Sequence, residues 1–442
     1  MRGSVHNAGM SKSRQLRWSW GLLIACALAL SATAQEIVTT PAKPTGIYGV
    51  GEPIEWKVEL KNAGDVKEVA YVLKKGGLTV TKQGTLDVSA GPATLKTSLD
   101  EPGTMLVELR VKQQGGKEVR ALAGAAAAPE KILPSAPPPD DFDAFWTAKI
   151  AQLEAIPPNP QLEPTDGGKA GVDYFKLQLD NINNSHVYGQ IAKPQKEGKF
   201  PAVLIVQYAG VYGLPKTNVT NRAAAGWLAL NIMAHDLPFD QPEDFYKQAS
   251  QTTLKDYMSI GDEDRDTSYF LRMYLGCYRA VEYLASRPDW DGKTLVVMGT
   301  SQGGQQSIVT AGLNPRITAM MANVPAGCDV TGFRIGRASG FPYWSNQART
   351  KKNDKIVEVG RYFDAVNFAA RIKCPAMVSM GLLDETCPPS GVLAAVNQMK
   401  GPKQALILLN SNHHGDHNAQ AEYFSKSEAW ARRLAKGDAE LK

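Results

Sequence analysis

Six short apolar runs constrain this chain more than any other feature: "AVLIVQ", "WLALNIMA", "TLVVMG", "ITAMMANV", "AMVSMG" and "ALILLN", spread between Ala202 and Asn410. None alternates apolar with polar residues, as a strand with one wet face would. Strands of this kind are buried on both faces, the situation of a parallel sheet between layers of helix. The segments separating the runs are long enough for the crossover helices that parallel pairing requires. An α/β domain with a mostly parallel sheet flanked by helices follows, and ligands of such domains bind at the carboxyl ends of the strands.

A chain of 442 residues can hold two or three units. From about Ile47 to Leu122 the pattern has period two. "PIEWKVELK" points Ile54, Trp56, Val58 and Leu60 one way, and "MLVELRV" does the same with Met105, Val107, Leu109 and Val111. With turns at Lys75-Gly76-Gly77, Gly91-Pro92 and Gln114-Gly115-Gly116, residues 35–124 read as a small antiparallel sandwich of immunoglobulin-like type. It carries no recognisable chemistry, so a spacer and a docking or glycan-binding module both remain open. The stretch "GAAAAPEKILPSAPPPDD" is rich in Ala and Pro, and residues 125–140 read as a linker. Asp141 then caps a helix running toward Ile156 and opens a catalytic domain over residues 141–442.

Residues 1–34 read as a signal peptide. Lys12, Arg14 and Arg17 precede an apolar run from Trp18 to Leu30, and Ala32-Thr33-Ala34 fits a signal-peptidase site. A mature chain starting at Gln35 is therefore expected to be secreted or periplasmic. Leu23-Ile24-Ala25-Cys26 has the form of a lipobox, but the apolar run continues past Cys26 where it should stop. The run is too short to span a membrane, so no insertion is expected after processing. Residues 1–34 hold four basic and no acidic residues of a chain with net charge +5. Their removal leaves no basic footprint for nucleic acid. Cys277, Cys328, Cys374 and Cys387 are too few for a disulfide scaffold, and Cys277 falls on the apolar face of a predicted helix as a buried thiol.

The chemistry is signalled by "TLVVMGTSQGGQQSIVTAG", which sets Gly299-Thr300-Ser301-Gln302-Gly303 between a buried strand and a helical stretch. This is the nucleophile-elbow pattern: a serine on a tight, strained turn, with small residues two places either side to keep the turn free of clashes. The amide of Gln302, the residue after the nucleophile, becomes one donor of an oxyanion hole. A serine hydroxyl needs a base, and in folds with this elbow the chain order is serine, acid, histidine. After Ser301 the histidines are His413, His414 and His417, all following the last apolar run. "AMVSMGLLDET" puts Asp384 at the end of the strand before, where the acid belongs.

The histidine-rich stretch "LNSNHHGDHN" also invites a metal reading. Its Asn412-x-His414-x-Asp416-His417 spacing is one residue short of the His-x-His-x-Asp-His pattern of metallo-hydrolases, and no histidine follows to supply another ligand. No metal and no cofactor are therefore expected, and Asp416 and His417 read as a solvated loop.

The segments "PPPDDFDAFW", "DRDTSYFLRMYLGCYRAVEYLASRP", "GTSQGG", "YFDAVNFAARIKCP" and "GLLDETCPPS" together resemble the acetyl xylan esterase and cephalosporin C deacetylase group, carbohydrate esterase family seven, over roughly Pro137 to Lys436. The resemblance implies an α/β-hydrolase fold and a serine esterase with Ser301 as nucleophile, Asp384 as acid and His413 as base. "YAGVYG" matches the family segment that supplies the second oxyanion donor, which assigns the amide of Val211 to that role. An acetylated carbohydrate is the implied substrate, and the family's hexameric assembly makes a homo-oligomer a candidate state. Two positions depart from the family: "NIMAHDLP" stands where its Arg-Gly-Gln is expected, and His414 stands in place of a glutamate. His235, in the replaced segment, could line the pocket or be structural. The expected activity is removal of acetyl groups from xylan or related polysaccharides and oligosaccharides through an acyl-enzyme. Another ester or a peptide as substrate, and a glycan-binding protein with a degenerate hydrolase domain, are the alternatives. Every expected catalytic element lies after the linker, so a chain starting near Pro134 should fold and remain active.

Overall fold

The computed structural model describes residues 35–112, 116 and 118–441. The signal peptide read over residues 1–34 and the turn read at Gln114-Gly115 lie outside them.

Strands β1 (Glu36–Pro41), β2 (Ile47–Tyr48), β3 (Ile54–Lys61), β4 (Glu68–Lys75), β5 (Thr79–Asp87), β6 (Ala93–Thr97), β7 (Gly103–Lys112) and β8 (Glu118–Ala127) form a small β unit. They make two sheets, β1-β3-β6 and β2-β8-β7-β4-β5. Neighbours pair antiparallel except β2 with β8. Ile54, Trp56 and Val58 of β3 share one interior with Leu73, Val107 and Leu109 of the larger sheet. Period two describes this inner face but not the outer face of β7, where Thr104, Leu106 and Glu108 are buried as well.

That second burial comes from the α/β unit lying against the larger sheet. β8 runs on through Ala127, into the stretch read as a linker, and Ala125, Ala126 and Ala127 are fully buried. Small residues are required there, since a Cβ on Gly124 would stand 2.6 Å from the Cβ of Leu382. The connecting chain is tied down too. Asn397 Nδ2 donates to the carbonyls of Pro129 (2.8 Å) and Ile132 (2.9 Å), and Ser135 donates from its amide and hydroxyl to Asp329.

The second sheet contains β9 (Gln161–Pro164), β10 (Val172–Asp180), β11 (His186–Pro194), β12 (Phe200–Val206), β13 (Leu228–Ile232), β14 (Trp290–Thr300), β15 (Ala319–Asn323), β16 (Ala376–Gly381) and β17 (Lys403–Leu408). Its order is β17-β16-β15-β14-β12-β13-β11-β10-β9. The six apolar runs are its parallel strands β12 to β17, and β9 to β11 add an antiparallel edge.

The helices are α1 (Phe142–Glu154), α2 (Thr217–Ala224), α3 (Glu243–Gln251), α4 (Tyr269–Ser286), α5 (Gln302–Leu313), α6 (Trp344–Lys351), α7 (Lys355–Gly360), α8 (Ala365–Ala369), α9 (Pro389–Gln398) and α10 (Ala421–Leu434). Cys277 and Val281 of α4, Ile308 of α5 and Val392 of α9 cover one face of the sheet, while Val219 of α2 and Trp430 of α10 cover the other. This is an α/β-hydrolase-like mixed sheet flanked by helices. Burial pushes the Cys277 thiol up to about 12, which suits an inert core residue. None of the described helices is long and apolar enough to cross a membrane.

Candidate active site

β14 ends at Thr300 and α5 begins at Gln302, and Ser301 between them has φ 58° and ψ −119°. A residue with a Cβ adopts such a backbone only where its surroundings impose it. Here the Ser301 amide donates to the carbonyl of Asn323 (2.9 Å), and the Ser301 carbonyl accepts the amides of Gln305 and Ala326 (3.0 Å each). The flanking glycines are dictated by contact. A Cβ on Gly299 would lie 2.5 Å from the carbonyl carbon of Gly303, and one on Gly303 would lie 2.7 Å from the carbonyl oxygen of Val206.

The turn holds the Ser301 hydroxyl 2.9 Å from Nε2 of His413, whose Nδ1 is 2.8 Å from Oδ2 of Asp384. His413 follows β17 and Asp384 follows β16, so three strand ends contribute one group each. Asp384 is buried, and its Oδ1 accepts the amides of Thr386 (2.8 Å) and Cys387 (2.7 Å), which leaves Oδ2 for the imidazole. A carboxylate can only accept, so Nδ1 carries the proton and the Nε2 lone pair faces the serine. A set of this kind can draw a proton from a hydroxyl and steady the resulting imidazolium.

Gln302 is the first residue of α5, where a backbone N–H has no partner within the helix. The loop after β12 that carries Val211 is fastened to the same place. The Tyr257 hydroxyl accepts the Gly210 amide (3.3 Å) and donates to Gln302 Oε1 (2.7 Å), while Gln306 Nε2 donates to the Gln207 carbonyl (2.8 Å). His235 is fully buried beneath this loop, and burial pushes its pKa down to about 4, so it is neutral at pH 7. Its Nε2–H donates to the Gly210 carbonyl (2.9 Å), and its Nδ1 accepts from the Tyr269 hydroxyl (2.8 Å). His235 is thus a support under the loop and not a pocket wall.

Tyr257 ties loop to elbow through one oxygen, which makes Tyr257→Phe a sharp test. The variant should lose about 2 kcal/mol of stability from stranded buried partners. Its kcat on a small activated ester should fall about tenfold as the loop loosens. Urea unfolding and steady-state kinetics read the two effects, and an unchanged kcat would remove Tyr257 from this account.

Sequence reasoning missed a second tie. Asn323, whose carbonyl holds the Ser301 amide, donates from Nδ2 to Gln420 Oε1 (2.8 Å), and Gln420 Nε2 donates to the His413 carbonyl (3.0 Å). Isolated Asn and Gln residues carry no spacing signal; the one clue was an asparagine ending an apolar run.

The loop after His413 is built as a turn. Asn412 Oδ1 accepts the Gly415 amide (2.9 Å), its Nδ2 donates to Asp416 (2.6 Å), and His414, Asp416 and His417 are exposed. Among the described residues, the side chains that gather like metal ligands are Asp384, Cys387 and His413, within 4.8 Å of one another. Burial pushes the Cys387 thiol well up, away from the thiolate a metal takes, and the hydrogen bond to Asp384 occupies the His413 Nδ1. These residues suit a proton relay better than a ligand set.

Comparison with known proteins gives one consistent result. The family model described as Acetyl xylan esterase (AXE1) matches residues 130–430. The chain is 32% identical over 385 residues to acetyl esterase Axe7A of Xylanibacter ruminicola, covering 85% of this chain and 86% of that protein. Residues 130–442 alone cannot supply 85% of the chain, so this match reaches into the β unit. Among solved structures, an acetyl xylan esterase from Paenibacillus sp. R4 superposes with a TM-score of 0.56 at 24% identity, over 68% of this chain and 98% of that one. Acetyl xylan esterase 1 from a Thermoanaerobacterium species gives 0.57 at 22% identity, over 67% and 96%. At these identities the two structures speak for the fold.

Proposed function

The chain belongs to the acetyl xylan esterase (AXE1) family, and from that premise we propose that it is a secreted serine esterase that removes acetyl groups from xylan or related polysaccharides and oligosaccharides. The observation that carries the proposal is the unbroken relay from Ser301 through His413 to Asp384 on a strained strand-to-helix turn. Ser301 Oγ attacks the acetyl carbonyl while His413 Nε2 takes its proton, and Asp384 stabilises the imidazolium. The amides of Gln302 and Val211 receive the tetrahedral oxyanion, each such donor being worth about 3 kcal/mol in the transition state. His413 returns the proton to the departing sugar oxygen, and water then releases acetate from Ser301 by the same route in reverse.

A sugar substrate suits the surroundings. Tyr208, in the Val211 loop, is 56% exposed and stacks on Tyr212 with ring centres 4.7 Å apart. Both border a crevice of about 790 Å³ between the loop after β12, α2 and α10, which reaches Thr300 beside the nucleophile, is not lined by Ser301 or His413 themselves, and includes Asn218 and Phe424. Flat rings with amides beside them match the apolar faces and hydroxyl edges of a pyranose. Residues 35–124, with their two packed sheets, fit an immunoglobulin-like sandwich standing before the catalytic domain.

The test is acetate release from acetylated xylan alongside a p-nitrophenyl ester series. Acetate should be released from the polymer, and kcat/KM should fall steeply from acetate to butyrate, because a methylene that meets a wall loses the attack geometry. No acetate from xylan together with a preference for butyrate or longer chains would replace this proposal by a broader carboxylester hydrolase.

A further inference from the structure

The loop bearing Asp384 is held from outside the α/β unit. Arg120, on β8, makes a two-pronged pair with Glu385, the residue after Asp384: Nη1 to Oε2 at 2.9 Å and Nη2 to Oε1 at 2.7 Å. The guanidinium is itself fixed. Its Nε donates to Glu108 on β7 (3.0 Å), and Glu108 also receives Lys74 (2.6 Å) and Arg110. The Glu108 side chain is only 4% exposed. Burial pulls its pKa upward, but hydrogen bonds from Arg120, Lys74 and Arg110 outweigh that and hold it at about 2, so it stays charged wherever the enzyme would work.

Other contacts along this seam converge on the same loops. Leu382 and Leu409 each follow a catalytic strand by one residue, and a Cβ on Gly46 would lie 2.5 Å from Leu409 Cδ1 and 3.2 Å from Leu382 Cδ1. The Ala338 amide donates to the Gly76 carbonyl (2.8 Å), and three residues on the Phe341 amide donates to the Thr386 carbonyl (2.8 Å). Behind Asp384 the seam is not filled: a crevice of about 140 Å³ lies between Gly76 and Leu106 on one side and Asp384 and Pro388 on the other. Side-chain packing is thus incomplete on that side of the acid turn, where the Arg120–Glu385 pair adds a directed polar anchor.

We propose that Arg120 is a positioning residue for catalysis: through Glu385 it fixes the turn whose amides orient the Asp384 carboxylate, so that the N-terminal β unit is part of the apparatus that aims His413. This rests on the role given to Ser301, His413 and Asp384 above. It runs against the expectation that a chain starting near Pro134 folds and remains active, because that chain lacks Arg120, Glu108 and Gly124.

The Arg120–Glu385 pair is exposed and ordinarily contributes little to stability, so at Glu385 a merely structural role would leave both kcat and melting temperature almost unmoved. Arg120→Ala also removes a partner of buried Glu108 and should lower the melting temperature in either case. A positioning role moves kcat, since small displacements of a catalytic group carry large rate penalties. The experiment uses the full chain with Arg120→Ala, Arg120→Lys, Glu385→Gln, the double variant Arg120→Ala/Glu385→Gln, and Ser301→Ala, on p-nitrophenyl acetate. Arg120→Ala and Glu385→Gln should each lower kcat about tenfold with KM within about twofold. The double variant should be no worse than the worse single, and Arg120→Lys should recover part of the loss. Should Arg120→Ala fail to fold, the conservative surface change Glu385→Gln decides alone. Wild-type kcat in Glu385→Gln, beside an inactive Ser301→Ala, would overturn the anchor and leave the triad standing. An active Ser301→Ala would overturn both.

Discussion

Replacing Ser301 by alanine should lower kcat/KM for p-nitrophenyl acetate by about 100,000-fold, and His413→Ala should do nearly the same. The two groups act as a unit across 2.9 Å, so the double variant should be hardly worse than either single one. His414→Ala is the informative control. Its ring stands edge-on to that of His413, with centres 5.6 Å apart, but it is exposed. It should keep activity within about threefold of wild type. All three proteins should melt near the wild type, because the folded backbone is set by Asn323, Gln305 and Ala326 and not by the side chains removed. If His414→Ala were as inactive as His413→Ala, the choice of base within the pair would be wrong.

The second large effect belongs to the elbow glycines. Gly299→Ala and Gly303→Ala each push a methyl group into backbone at 2.5 to 2.7 Å, where no flexible side chain can yield. Each should cost about 3 kcal/mol or more in urea unfolding. Whatever folds should lose at least about 100-fold in kcat, since relief of the clash must shift Ser301 or the Val206 end of the loop that carries Val211. Gly304→Ala, whose Cβ would meet Pro325 Cα at 2.9 Å, should be milder on both counts. Wild-type kcat in Gly299→Ala would mean that the turn is looser than its contacts imply.

These predictions draw on residues that were legible in the sequence: local pattern and strand order place Ser301, Asp384 and the histidine cluster after the last run, and the family resemblance picks His413 within that cluster. The six apolar runs became six parallel strands, and each proposed catalytic side chain follows one of them. What was not legible depends on contacts between distant residues. Gly124 is a glycine because Leu382 lies against it, and no window of sequence contains both. The outer face of β7 carries Thr104 and Glu108, polar residues that a period-two strand with one wet face would expose and that the α/β unit covers instead. The alanines up to Ala127 had the composition of a linker but are strand, since small side chains are what a sheet needs where another unit presses on it. His235 was left open between pocket and structure for a related reason: a lone histidine after a strand fits either, and its burial with a hydrogen bond to Gly210 decides for the structural role.

Mapping the acyl group tests the central claim most directly. With an activated ester such as p-nitrophenyl acetate, acylation outruns hydrolysis and the acyl-enzyme accumulates. Acid quenching during turnover, followed by peptide mass spectrometry, should find one acetyl group on Ser301 in the wild type and none at that position in His413→Ala. An acetyl group that forms within one turnover on another side chain, in the wild type and not in Ser301→Ala or His413→Ala, or an unmodified Ser301 at saturating ester, would contradict it.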